Sequence, residues 1–287
     1  MRARKQSFHE WLITLPSFVW LVVLFVIPTA IVFAIAFKPS DPWGGIGAGW
    51  TLDTLRSLGN PNYPAIVYRT LWLSVFTTVI CIALALPTGY FIARAPGKWR
   101  RLLLLLTVIP FWTSFLIRIF AWKVLLHPEG HLKRLLVFLG LADEHTMLLY
   151  RSEAVLLVMV YTLLPFAILP IYAAAEKFDF RLVEAARDLG ATKLRALRTI
   201  FIPGIQRGLL TAVLMVFIPA LGSYIIPDIV GGPRSEMVGN KIAQRTFVDR
   251  NLPHASALSA GLTLAVMAPM LVVLMMQGRR REGDHAV

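Results

Sequence analysis

A single cysteine, Cys81, is all the thiol chemistry the chain holds. That excludes a disulfide framework within one chain and any metal site built on a cysteine pair. Cys81 sits in an apolar run and reads as a small buried apolar residue. Acidic residues are scarce too: 16 Asp and Glu stand against 29 Lys and Arg, for a formal charge of +13. No G-x-x-x-x-G-K-[ST] loop occurs, so the chain carries no P-loop of its own for ATP. No H-E-x-x-H occurs either. His127 and His131 are four apart, but Pro128 and Gly130 between them argue against one helical face, so no metal site is expected. Ser114 and Ser223 lack a convincing base partner. No Gly/Ser linker, low-complexity run or 20–50-residue repeat interrupts the chain, which reads as one membrane domain.

What the chain has in excess is hydrophobicity. Of its 287 residues, 57% are hydrophobic, and the mean hydropathy is +0.66. Soluble domains are nearer about 45–50% apolar. The excess lies in long runs with few charges, which indicates a membrane protein. The basic residues lie between these runs, where they act as topology signals rather than as a nucleic-acid surface.

Six stretches are long enough to cross a bilayer: 12–37, 66–93, 102–126, 153–175, 205–227 and 256–277. The first is longer than a signal-peptide core and no small-x-small site closes it, so it reads as a retained helix. Pro28, Pro87, Pro110, Pro165, Pro219 and Pro269 fall inside the spans and are expected to kink rather than break them. The runs are too long and too continuous for a β-barrel. Arg2, Arg4 and Lys5 lie in the N-terminal tail, Arg94, Lys98, Arg100 and Arg101 near the second connection, and Arg279, Arg280 and Arg281 in the C-terminal tail. The fourth connection is the richest, from Lys177 to Arg207. Positive charge marks the cytoplasmic side, so both termini are placed there. Loops 38–65, 127–152 and 228–255 then lie outside. The expected division is a tail over 1–11, a six-helix membrane domain over 12–277 and a tail over 278–287.

The fourth connection, 176–204, has internal pattern. Leu182, Ala185, Ala186 and Leu189 recur at i, i+3, i+4 and i+7, one face of a helix. Asp179 can cap its start and Gly190 can end it in the left-handed region. Thr192 can cap a second helix, with Leu194 and Leu197 inward, and Pro203 can open the next span. Two alanines on the stripe let another surface approach the backbone closely. Glu184, near the helix start, is favoured by the dipole and can bind a basic partner. Periodicity alone serves an amphipathic helix lying on lipid headgroups equally well.

Glu184-Ala185-Ala186, Gly190, Ile200 and Ile202-Pro203 stand at the spacing E-A-A-x3-G-x9-I-x-L-P. This resembles the EAA loop of ABC importer permeases, with Ile202 in place of the usual Leu. The resemblance implies an all-α type I permease of six transmembrane helices whose coupling helix docks on a separate ATPase. Glu184, Ala185, Ala186, Gly190, Ile200 and Pro203 are then the coupling residues. Pro110 to Ser114 with Leu116-Ile117-Arg118, Leu164-Pro165-Phe166, Glu176-Lys177, Gly231-Gly232 and Gly239-Asn240 are similar to the first permease subunit of spermidine/putrescine importers. The implied partners are a second permease subunit in a heterodimer, two ATPase subunits and a periplasmic binding protein. The implied setting is the bacterial inner membrane. This chain would bind no cofactor itself, with ATP and Mg held by the ATPase.

A path for polycations needs carboxylates and aromatic faces. Trp112, Tyr161, Tyr224 and Asp228 are the candidates at the outer ends of the spans, with Phe111, Trp122 and Glu153 nearby. Belt or packing roles serve the aromatics as well, and a loop cap or salt bridge serves Asp228. Arg118 lies inside the third span, where it is expected to pair with a carboxylate or to snorkel. Lys123 reads as a snorkelling residue. Three other functions remain open: import of another small solute such as an opine or amino-acid derivative, an intramembrane enzyme, and a secondary transporter. The enzyme lacks an acid–base pair at midplane, and the secondary transporter usually has more spans and inverted repeats.

Overall fold

The computed structural model describes residues 14–267 except 42, 141, 142 and 144. Both tails, the first two residues of the first span and positions 268–277 with Pro269 therefore lie outside the described residues. The described residues form helices, with one isolated antiparallel bridge between Ser40 and Ile46. They divide into two compact units, Pro64–Asn240 and the remainder on either side of it.

In the Pro64–Asn240 unit, helix Ser152–Glu176 is the core element. Val155, Val158, Met159, Ala167, Ile171 and Ala175 along it are wholly buried. Helix Gln206–Leu221 packs along it through Ala212, Val216 and Ala220, which recur every four residues and are also wholly buried. Lipid tails are as apolar as leucine, so helices gain by packing closely over small residues. Gly208 does this: a Cβ there would stand 2.8 Å from the Pro170 carbonyl oxygen and run into Ala174. On its other side the core helix meets the long helix Asn62–Arg94, where a Cβ on Gly89 would stand 2.8 Å from Ile171 Cγ2. Cys81 is buried there, its Sγ 3.6 Å from the Val160 carbonyl oxygen.

Three helices are each long and apolar enough to cross a membrane: Thr14–Ile35, Asn62–Arg94 and Ser152–Glu176. Pro87, Pro165 and Pro170 stay inside them. The expected third span departs from this. Gly97–Trp112 and Phe115–Leu126 meet at 91°, with Thr113 and Ser114 extended between them. Pro110 sits just before the break, in a single 3-10 turn, because it offers no N–H to continue the α-helix. The fifth also differs: its helix ends at Leu221, and a separate short helix, Ile225–Val230, follows. The last apolar helix is Leu252–Met267 as far as the described residues run.

In the other unit, the segment after helix Thr14–Ile35 is mostly irregular, with one short helix at Asp53–Arg56. Trp43 is almost fully exposed, and the Lys38 ammonium lies 4.1 Å from the Trp50 ring centroid. Ser57, Tyr63 and His254 join in one hydrogen-bond chain, buried at Tyr63 and His254 and open to solvent at Ser57.

Candidate functional site

The connection after Ser152–Glu176 folds into two short helices. Asp179 accepts the Arg181 N–H at 3.0 Å and starts helix Arg181–Asp188. The helix ends at Gly190, whose φ is +89°. Gly190 N–H donates to the Arg187 carbonyl at 2.9 Å, and Ala191 N–H donates to the Ala186 carbonyl at 3.0 Å. This pair of bonds is the Schellman arrangement, with Ala186 and Gly190 at the two positions it requires. The four-residue spacing from Ala186 to Gly190 is therefore the spacing of a helix stop. Thr192 Oγ1 then accepts the Arg195 N–H at 3.3 Å and caps the second helix.

That second helix runs over Lys193–Gly204, with a π turn at Leu197–Phe201. It bends by 78° at Ile205 into Gln206–Leu221. Pro203 thus lies in the last turn of the surface helix and does not open the span. The bend falls two residues later, where Ile205 is buried with φ −105°. Leu194 is also a correction: it is 59% exposed, and Ala196 and Phe201 are the buried residues instead. Ile200 is half-buried and Pro203 exposed.

Helix Arg181–Asp188 buries Val183 and half-buries Ala186 against the rest of the unit. Leu182, Ala185 and Leu189 point the other way, and Leu189 is 89% exposed. An exposed apolar stripe on a short rigid helix is a surface with something to cover. Arg181, Arg187 and Lys193 beside it are exposed as well.

Beneath the helix lies an aromatic cluster that sequence periodicity did not reveal. The Phe201 ring stands edge-on to Phe178 at 5.4 Å and to Tyr90 at 5.0 Å, and Phe180 joins both Tyr90 and Phe178. Gly204 leaves room for the Phe178 ring, which a side chain there would strike. Edge-to-face pairs of this kind add about 0.5–1.5 kcal/mol each beyond area burial. Two ion pairs flank the cluster. Arg94 Nη2 donates to Glu184 Oε1 at 3.1 Å, and Arg100 Nη1 donates to Glu176 Oε1 at 2.9 Å. Glu184 thus already has a basic partner within its own chain. The only sequence signal for these pairs was the run of arginines in the second connection.

The substrate-path candidates are less gathered. Tyr224 is the residue before helix Ile225–Val230, and its carbonyl accepts the Asp228 N–H at 3.0 Å, so the two share one turn. Both are exposed, and Asp228 makes no side-chain bond among the described residues. Tyr161 meets Trp122 edge-on at 5.3 Å. Helix Ile225–Val230 packs against the helices carrying those two rings. Trp112, in the 3-10 turn, is 79% exposed and makes no ring contact among the described residues. Phe111 packs edge-on against Phe166 at 5.1 Å. Arg118 is not paired with a carboxylate among the described residues. Its guanidinium lies 6.0 Å from the ring centroids of both Phe111 and Phe115, so aromatic faces stand where an acidic partner was expected. Glu153 is exposed at the start of its helix, 3.5 Å from Arg151. His127 ends one helix and His131 begins the next, so they share no helical face.

Residues 6–279 match the family described as binding-protein-dependent transport system inner membrane component. The chain belongs to that family. This permease is 38% identical over 256 residues to the spermidine/putrescine transport system permease protein PotB of Haemophilus influenzae, covering 89% of each chain. It is 36% identical to the protein of the same name from Escherichia coli, over 88% of this chain and 92% of that one. Among solved structures, it resembles a chain of a bacterial ABC transporter that imports the acidic polysaccharide alginate. That match has a TM-score of 0.72 at 19% identity and covers 98% and 99% of the two chains. A chain of the MetNI methionine ABC transporter gives 0.53 at 20% identity, over 72% of this permease and 90% of that chain. The fold is thus the all-helical type I ABC importer permease fold, and the protein is an inner-membrane permease subunit.

Proposed function

We propose that this permease forms part of the path by which an ATP-driven importer brings spermidine and putrescine into the cell. The identity of 36–38% to polyamine permeases over nearly nine-tenths of both chains carries the choice of solute. Both termini face the cytoplasm, a second permease subunit completes the path, two ATPase subunits bind the inner face, and a periplasmic binding protein delivers the solute. Helix Arg181–Asp188 is the docking handle. Its outward stripe of Leu182, Ala185 and Leu189 would seat against an ATPase subunit, and its buried side is keyed to the spans through Val183 and the aromatic cluster. ATP binding shifts the bundle between inward-open and outward-open states because the ATPase dimer contacts the two differently. On the outer side, Asp228 and Tyr224 offer a carboxylate and an aromatic face to a polycation.

Uptake competition in vesicles holding the whole importer tests the solute. Excess putrescine and spermidine should each displace labelled spermidine, and uptake should stop without ATP. Displacement by an opine or amino-acid derivative, with polyamines inert, would overturn the choice.

A further inference from the structure

The Arg94 guanidinium does three things at once. Nη1 donates to Tyr90 Oη at 2.9 Å, Nη2 donates to Glu184 Oε1 at 3.1 Å, and the group lies 5.5 Å from the Phe180 ring centroid. Arg94 is the last residue of the long helix Asn62–Arg94, while Glu184 lies in the first turn of the surface helix. Six residues on, Arg100 grips Glu176, where the core helix ends. The second connection is thus clamped to the fourth at two points, 90 and 76 residues apart in sequence.

These pairs are poor candidates for a purely stabilising role. The Arg94 and Glu184 side chains are 42% and 54% exposed, and such pairs contribute little to stability. Their geometry is nonetheless specific. A planar fork can hold the Tyr90 hydroxyl and the Glu184 carboxylate together, which a single ammonium does less well. The pair joins the surface helix to a span that is not its neighbour in sequence. Without it, the surface helix reaches the spans only through its own two ends and the packing beneath it.

We infer that Arg94 is a positioning residue of the coupling element, which through Glu184 makes the long helix Asn62–Arg94 move with the surface helix. This rests on the reading of that helix as the ATPase handle. An ATPase side chain that bound Glu184 would have to share it with Arg94, so docking and the clamp are linked. The step is an exchange of hydrogen bonds, with no covalent change.

The test is a mutant cycle in the complete importer, reconstituted in vesicles, with Arg94→Gln, Glu184→Gln and the double variant. Inserted permease and co-purified ATPase subunit are measured alongside spermidine uptake and ATP hydrolysed per molecule imported. Arg94→Gln should lower uptake about three- to fivefold, the scale an exposed ion pair supplies. The ATP cost per molecule should rise, with insertion unchanged. The double variant should be no worse than the poorer single one, because each acts through the other. Losses that multiply, an unchanged ATP cost, or normal uptake by Arg94→Gln would each overturn the inference. A bulky residue at Ala185 separates it from the underlying reading. If Ala185→Trp imports normally, the handle itself is wrong; if only the Arg94 cycle fails, the handle stands without the clamp.

Discussion

Tyr63 Oη stands 2.6 Å from His254 Nε2, across 191 residues of sequence. On the ring's other side, Nδ1 lies 3.0 Å from Ser57 Oγ, whose own proton goes to the Thr54 carbonyl at 2.6 Å. Ser57 must therefore accept, which puts the imidazole proton on Nδ1 and leaves Nε2 to accept from Tyr63. The neutral ring satisfies every group in the chain; a second proton on Nε2 would point at a hydroxyl that already donates there.

His254, in the first turn of helix Leu252–Met267 and ahead of the expected span 256–277, accordingly has a lowered pKa. Burial is the main cause, the charge of Arg245 adds to it, and Asp249 opposes it. A base depressed in this way stabilises fully above its ordinary value near 6.5, and that stabilisation is lost as pH falls through the folded value. Thermal unfolding in detergent should show a plateau above about pH 7 and a decline below it, with His254→Gln flattening the profile. A wild-type profile as flat as the variant's between about pH 5 and 8 would reject the protonation state assigned to this ring.

The tight seam between helices Ser152–Glu176 and Gln206–Leu221 gives a second expectation. Gly208→Leu must push against the Pro170 carbonyl and Ala174, and should cost about 1–3 kcal/mol. Gly97→Ala meets nothing within 4 Å and should be neutral or slightly stabilising. Melting temperatures of the two purified variants against wild type decide this, and equal values would mean that the seam has room for a side chain at Gly208.

Gly190 is a different kind of glycine. A side chain there meets nothing within 4 Å, so its cost is conformational, set by φ +89°. Gly190→Ala should cost about 1–2 kcal/mol of local stability, and Gly190→Asn less. Hydrogen exchange at the Gly190 and Ala191 amides should speed up in that order. Equal protection in all three would show that the helix stop does not depend on glycine.

Much of this element was legible in the sequence because caps and stops are local. Asp179, Gly190 and Thr192 act over two to five residues, and each is found where spacing placed it. Gly190 also serves a motif in which Ala186 is the other half. The direction of the apolar stripe was not legible, because periodicity shows that a face exists and not what covers it. Leu194 was misplaced for the same reason. The clamp of Arg94 on Glu184 and the rings of Tyr90 and Phe201 depend on the third dimension alone. The 91° break at Thr113–Ser114 was masked by continuous hydrophobicity, which is blind to backbone direction. Arg118 was expected to find a carboxylate or to snorkel; among the described residues no carboxylate pairs with it, and the rings of Phe111 and Phe115 come to it from its own stretch of chain.

On the proposed path, Asp228→Asn should raise the spermidine KM about fivefold, the scale of one exposed charge pair, and leave maximal uptake nearly unchanged. Concentration-dependent uptake measures both. An unchanged KM would remove Asp228 from the path.

The handle itself is tested by one comparison: ATP-dependent uptake of labelled spermidine by the reconstituted importer, wild type beside Ala185→Trp and Ala186→Leu. Ala185 faces outward and Ala186 faces the core, so the first should block docking and the second should lift the helix. Both should lower uptake about tenfold or more while the permease remains inserted, and Ala185→Trp should also retain less ATPase subunit on purification. Wild-type uptake by Ala185→Trp, with the ATPase still bound, would contradict the assignment of this helix as the coupling element.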